Sequence, residues 1–199
     1  MDKLTAYLVK KGVLKDERVI KAFAENPRYK FVPERYKDYW YVDEPLPTFE
    51  GQTISQPSTV AFMTQALEVG EGMKVLEVGA GSGWQAAILS SLVGKNGKVY
   101  TIERIPKLYE FAKRNLRDKK NVEVILGDGS KGLPRKAPFD RIIVTAAARE
   151  VPKALIEQLD EEGILLVPVG VGVQRMVKVW KKGRKEYLGE FVFVPLVEE

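Results

Sequence analysis

A chain of 199 residues, 45 % hydrophobic and 30 % charged, is long enough to bury a full core and fits one α/β domain better than two. It has no Cys and no His, which removes disulfides, thiolate nucleophiles, imidazole bases and nearly every zinc or iron site, so its chemistry must use hydroxyls, carboxylates, amides or a bound cofactor, with no metal. The net charge of +5 comes from scattered lysines instead of one basic block, no apolar run reaches the ~20 residues of a membrane span, and the N-terminus is not a signal sequence, so the expected protein is cytoplasmic and monomeric, with no nucleic-acid or membrane partner.

In chain order, Leu4, Tyr7 and Leu8, then Val19, Ile20 and Phe23, recur at helical spacing. They predict short helices over 2–11 and 16–24, divided at Gly12, with Asp16 as a cap. Between Asn26 and Gly51 the chain places Pro27, Pro33, Pro45 and Pro47 among seven aromatic rings. That much ring area does not stay wet, so a long loop packed on the surface is expected, or else a lid over a cleft. Gly51 to Ser55 then leads into a helix with Pro57 at its first position, ending near Gly70.

Lys74–Val78 reads as a buried strand, Gly79-Ala80-Gly81-Ser82-Gly83 as a turn, and Ala86–Leu92 as the apolar run of a helix. Three glycines at alternate positions let the main chain pass close to a ligand and leave amides free at a helix N-terminus. Strands over 99–103, 122–126, 139–145 and 163–169 follow, with helices over 106–117 and 152–159. This alternation predicts a Rossmann-like α/β fold, a doubly wound, mostly parallel seven-stranded sheet. Its last two strands, 175–181 and 186–194, form an antiparallel hairpin about Lys182-Gly183-Arg184 at the sheet edge. Residues 1–56 would be an N-terminal helical, substrate-side segment and 57–199 the core of a single domain.

In such a sheet ligands bind beyond the carboxyl ends of the strands. Glu77, Glu103 and Asp128 end the first three strands, so all three acids are expected to face one crevice. Glu103 is placed to accept from both ribose hydroxyls of a nucleoside, and Asp128 to receive the adenine amine, with Gly129 leaving room for the ring. Each alone could equally be a solvated acid or a helix cap. The dinucleotide fingerprint needs glycine at 84, which here is Trp. Gly79, Gly81 and Gly83 after Glu77 instead resemble the first motif of class I methyltransferases that use S-adenosyl-L-methionine. A sulfonium is cationic and carries no pyrophosphate, so an acid-rimmed site suits it better than a dinucleotide, whose phosphates Glu77 would repel.

Gly51-Gln52-Thr53-Ile54-Ser55, the cofactor strand, Gly127-Asp128-Gly129-Ser130, Phe139 to Thr145 and the terminal Phe193-Val194-Pro195-Leu196 together resemble the protein-L-isoaspartate (D-aspartate) O-methyltransferase family, from about residue 26 onward. The resemblance implies methyl transfer from S-adenosyl-L-methionine to the α-carboxylate of an L-isoaspartyl residue, or the β-carboxylate of a D-aspartyl one, in damaged peptides and proteins. S-adenosyl-L-homocysteine is the other product, and the ester collapses through a succinimide towards normal aspartate. It also implies Ser55 as the catalytic residue beside the reacting carboxylate, with Thr53, Ile54, Ser55, Val194, Pro195 and Leu196 holding the isoaspartyl unit. Many family members carry a His after the proline, where this chain has Ser58. An acceptor carboxylate of pKa ~4 is already ionised at neutral pH, so a site without His needs no general base.

Two other readings stay open at this point: a class I methyltransferase acting on RNA or a small molecule, and a non-catalytic module that binds damaged protein. Asn96-Gly97 is a turn in which the backbone nitrogen can attack the Asn side chain, so the protein is expected to become its own substrate on ageing.

Overall fold

The computed structural model describes residues 1–197. Two short helices open the chain, α1 over Lys3–Lys10 and α2 over Glu17–Glu25. Each begins where a carboxylate accepts from otherwise unpaired amides: Asp2 from Leu4 and Thr5, and Asp16 from Arg18 and Val19. The aromatic segment is more ordered than a loop. It holds two 3-10 turns, Arg28–Lys30 and Glu34–Tyr39, and a small ribbon pairing β1 (Leu46–Pro47) with β2 (Thr53–Ile54). Its rings pack edge-on, Tyr29 against Trp40 and Phe49 against Phe111. Helix α3 spans Pro57–Ala66 with the proline at its start.

The core alternates β3 (Lys74–Val78), α4 (Trp84–Val93), β4 (Lys98–Glu103), α5 (Pro106–Asn115), β5 (Val122–Leu126), β6 (Phe139–Val144), α6 (Lys153–Glu157) and β7 (Leu159–Val169). The hairpin of β8 (Gln174–Trp180) and β9 (Lys185–Phe191) closes the edge. The sheet order is β5-β4-β3-β6-β7-β8-β9, parallel from β5 to β7 and antiparallel beyond. This is the expected seven-stranded, doubly wound arrangement. Strand order reverses about β3, so the carboxyl ends of β3 and β6 border a crevice that β4 and β5 extend.

Helix α4 is buried almost all round, Ala86 to Leu89 completely. The sheet covers one side and α2 and α3 the other. Phe23 meets Trp84 edge-on at 5.6 Å, and the Trp84 indole N–H donates to the Asn26 carbonyl at 2.8 Å. The N-terminal segment is thereby fastened to the helix that starts at the glycine turn.

Helices α3 and α5 end at Ala66 and Asn115, short of the expected Gly70 and 117, and two further boundaries differ with more consequence. The helix expected to reach 159 stops at Glu157, and β7 begins at Leu159, because Leu159 pairs with Phe139 before a bulge lets the exposed Asp160, Glu161 and Glu162 swing outward. The last strand ends at Phe191 instead of 194. Beyond it the chain turns to the end of β6, where Ala147 donates to the Val194 carbonyl and accepts from the Leu196 amide, both at 2.8 Å. That diversion carries Val194 to Leu196 to the crevice.

Candidate active site

The turn after β3 has positive φ at Gly79 (99°), Gly81 (53°) and Gly83 (84°), a region where side chains are strained. The three glycines serve different ends. A Cβ on Gly79 would collide with the Thr145 hydroxyl oxygen, and one on Gly83 would meet Leu116 at 2.9 Å. Only Gly81 has open space beside it. Gly83 is accordingly the one expected site residue absent from the cavity lining; it lets α5 pack close to the start of α4.

The turn's amides are not free, as expected from the sequence, but mostly taken. Gly79 and Ala80 donate to the Ile102 carbonyl at 2.9 and 3.0 Å, and Gly83 to the Ala80 carbonyl at 2.8 Å. Gly81 donates to Glu103 Oε2 at 2.9 Å, while Glu103 Oε1 accepts from the Ile105 amide at 3.0 Å. Glu103 is thus a clasp between the glycine turn and the entry to α5. Each carboxylate oxygen accepts more than one hydrogen bond, so a polyol beside it can still donate.

The three acids do reach one cavity, in unequal states. Glu77 is fully buried one residue before the end of β3, with Oε2 accepting from the Thr101 hydroxyl at 2.6 Å and Oε1 unpartnered. Burial pushes its pKa up to about 8, against the lowering Thr101 bond and with help from the Glu103 charge. Glu77 is therefore neutral at pH 7 rather than part of a charged rim, and repulsion of a phosphate falls to Glu103. Asp128 is caught in its own turn, accepting from the Ser130 amide at 2.8 Å and hydroxyl at 2.7 Å. Burial acts to raise its pKa, but those bonds and the charges of Lys131 and Arg104 outweigh it and hold Asp128 below the usual carboxylate range. Beside it a Cβ on Gly129 would meet Val78 at 2.6 Å, so only glycine keeps this wall flat.

The opposite wall brings Thr53, Ile54 and Ser55 together with Val194, Pro195 and Leu196. The Ser55 hydroxyl carries no hydrogen bond among the described residues, while its carbonyl accepts from Arg28 at 3.0 Å. A second cleft adjoins at Thr53, Ser55, Thr145 and Val194 and runs out between Phe62, Phe191 and Phe193. Ser58 lies there in the first turn of α3, its amide and hydroxyl both donating to the Asp43 carboxylate, so it is turned towards that acid. Among the described residues no group of three or more His, Cys, Asp or Glu could hold a metal.

Two residues escape sequence reasoning. Thr145 hydrogen-bonds the Gly79 carbonyl at 2.7 Å and lines both clefts; its place at the end of a central strand was the available signal. Arg28 is 1 % exposed and donates to main-chain carbonyls on both sides of the ribbon. Nothing in the sequence separates it from a surface arginine.

The family model described as Protein-L-isoaspartate(D-aspartate) O-methyltransferase (PCMT) matches residues 1–199, including the first 25 that the motifs left out. A relative from Pyrococcus horikoshii named protein-L-isoaspartate O-methyltransferase is 53 % identical over 196 residues, 94 % of this chain and 88 % of that one. One of the same name from Staphylothermus marinus is 50 % identical, covering 97 % and 92 %. Among solved structures, a Plasmodium falciparum protein described as a β-aspartate methyltransferase (PCMT) in complex with S-adenosyl-L-homocysteine superposes with a TM-score of 0.89 at 26 % identity, covering 98 % of this chain and 97 % of that one.

Proposed function

The chain belongs to the protein-L-isoaspartate(D-aspartate) O-methyltransferase family, and on that premise we propose how its crevice carries out repair methylation. The substrates are L-isoaspartyl, and D-aspartyl, residues of damaged peptides and proteins. The donor is S-adenosyl-L-methionine, which supplies an electrophilic methyl on a sulfonium and departs as neutral S-adenosyl-L-homocysteine.

The cavity fits that donor. Glu103 offers its remaining lone pairs to the ribose, the flat wall at Gly129 with Ile105 and Leu108 takes the base, and Asp128 receives the exocyclic amine. The open side of Gly81 admits the chain that bears sulfur, and Glu77, whose Oε1 is unpartnered, lines the same cavity. On the acceptor side, Ser55 donates one hydrogen bond to a carboxylate oxygen and fixes its direction without quenching it, as a full positive charge would. Thr53, Ile54 and Val194 to Leu196 hold the isoaspartyl main chain. No proton need move, and the residues' work is orientation and exclusion of water from a step in which opposite charges neutralise.

The observation that carries this reading is the free Ser55 hydroxyl across one cavity from the Glu103 clasp. The reading further takes the chain as one domain, residues 1–56 on the substrate side and 57–199 as core, working as a monomer in the cytoplasm without nucleic acid. No helix among the described residues is long and apolar enough to cross a membrane. An isoaspartyl peptide and its aspartyl twin, assayed side by side, test it. Strong preference for the first is expected, and Ser55→Ala should lose about 1.5–3 kcal/mol of transition-state stabilisation, one hydrogen bond to a charged group. Equal turnover of both peptides would refute it.

A further inference from the structure

Arg28 is a buried cation with no carboxylate within salt-bridge reach among the described residues. Its guanidinium donates from Nη1 to the carbonyls of Trp40 (3.2 Å) and Val42 (2.9 Å), and from Nη2 to those of Glu44 (2.8 Å), Ile54 (3.4 Å) and Ser55 (3.0 Å). On its other side lies the Trp84 ring, 5.5 Å away, at the first residue after the glycine turn. Asp43, the acid whose charge acts on Arg28, is engaged by Ser58 and by Lys11 at 3.5 Å. Burying an unpaired charge is costly, and a neutral apolar side chain would fill the space without that cost. What an apolar residue could not do is draw two separate strips of main chain onto one rigid fork.

Those strips are the aromatic segment at 40–44 and the end of β2 at 54–55, which carries the acceptor-side hydroxyl. We infer that Arg28 is a positioning residue for the methyl acceptor. Its planar fork, backed by Trp84 at the cofactor turn, sets where the Ile54–Ser55 main chain lies, and through it where the Ser55 hydroxyl meets the substrate carboxylate. The positive charge under this edge also favours an anionic acceptor over a neutral one. The inference rests on the repair reading with Ser55 as the orienting group.

The test is a double-mutant cycle on isoaspartyl peptide at saturating donor, with Arg28→Lys, Ser55→Ala and the pair, and S-adenosyl-L-homocysteine affinity measured alongside. Lysine keeps the charge but offers three donors in place of the planar fork. Arg28→Lys is expected to lower kcat roughly 10-fold in the parent, no more than Ser55→Ala itself does, and less than about threefold in the Ser55→Ala background, with product affinity unchanged within about threefold. A loss of the same size in both backgrounds, or product affinity falling in step with kcat, would overturn the inference. A Ser55→Ala enzyme of parental kcat would remove the Ser55 premise and the inference with it, whereas discrimination between isoaspartyl and aspartyl peptides by the parent tests the wider reading separately. An independent readout needs no variant. The Nη protons of Arg28, followed by NMR in the whole protein, are expected to shift on adding isoaspartyl peptide and not its aspartyl twin, and an unmoved signal at saturating peptide counts against the role.

Discussion

Replacing Glu103 by Gln removes one charge and turns one acceptor into a donor while keeping the shape of the side chain. In the parent both carboxylate oxygens are committed, Oε2 to the Gly81 amide at 2.9 Å and Oε1 to the Ile105 amide at 3.0 Å. A glutamine can satisfy only one of these, and its NH2 then faces the other N–H. The partner left without an acceptor lies in the glycine turn or at the start of α5, costing about 1–3 kcal/mol of stability. For the donor's ribose the loss is separate. Hydrogen bonds to an ionised group are worth about 1.5–3 kcal/mol and roughly half that when neutral. Weakening two such bonds therefore costs about 1.5–3 kcal/mol, a roughly 10- to 100-fold rise in the dissociation constant at 1.4 kcal/mol per decade. Titration calorimetry with S-adenosyl-L-homocysteine reads this directly, while thermal melts without ligand isolate the stability term. An affinity within threefold of the parent in a folded Glu103→Gln protein would refute the clasp as the nucleoside anchor.

Burial lifts the Glu77 pKa in the folded protein to about 8 from the ordinary carboxyl value of 4.5. From about pH 4.5 upward the unfolded chain gives up this proton while the folded chain keeps it, so this group's stabilising contribution is lost as pH rises to about 8. Glu77→Gln, fixed in the neutral form, should flatten that part of the stability profile, and urea melts at pH 5 and 8 showing the parental slope would contradict it. Gly79→Ala should destabilise by about 1–3 kcal/mol, combining strained backbone with the Thr145 collision. Gly81→Ala, with open space beside it, should cost only about 1 kcal/mol of stability, and equal melts for the two would show that the glycines do not divide their work. The Asn96-Gly97 turn is tighter than the sequence suggested: Gly97 is buried and its amide donates to the Gly94 carbonyl at 3.3 Å. Isoaspartate at 96 is therefore expected to form on ageing in urea much faster than in the folded protein, and peptide maps with equal amounts in both would refute that restraint.

The fold was legible wherever period and punctuation agreed. The strand at 74–78, the glycine turn and the three following strand ends were all in the residues, because the inner strands, buried on both faces, leave apolar runs and the half-buried edge strand 122–126 is punctuated by Gly127. The ribbon of Leu46–Pro47 with Thr53–Ile54 was not, since two residues a side leave no periodic signal. Nor was the departure of the chain from the sheet after Phe191: Val192 and Val194 continue a strand-like text, and only the Gln174 side chain accepting from the Phe193 amide at 2.8 Å and the pull of Ala147 redirect it. The site divides in the same way. Glu103 and Asp128 follow from where strands end, but the neutrality of Glu77 and the burial of Arg28 depend on what packs around them.

That difference bears on how the crevice selects a sulfonium. Glu103 and the neutral Glu77 lie on adjacent strands, and the Glu103 charge is one reason Glu77 keeps its proton. Two carboxylates kept one proton short of full ionisation form a site whose charge can follow its ligand. A cation arriving near the open side of Gly81 stabilises the ionised form of Glu77 and lowers the cost of releasing that proton; a dinucleotide would bring phosphates to a wall already holding Glu103 and would drive the proton on more firmly. Donor binding should therefore tighten as pH rises towards 8, and binding of the uncharged S-adenosyl-L-homocysteine should not. Calorimetry at pH 6 and pH 8 with both compounds reads the difference, and parallel pH dependence would mean that Glu77 does not sense the charge on sulfur.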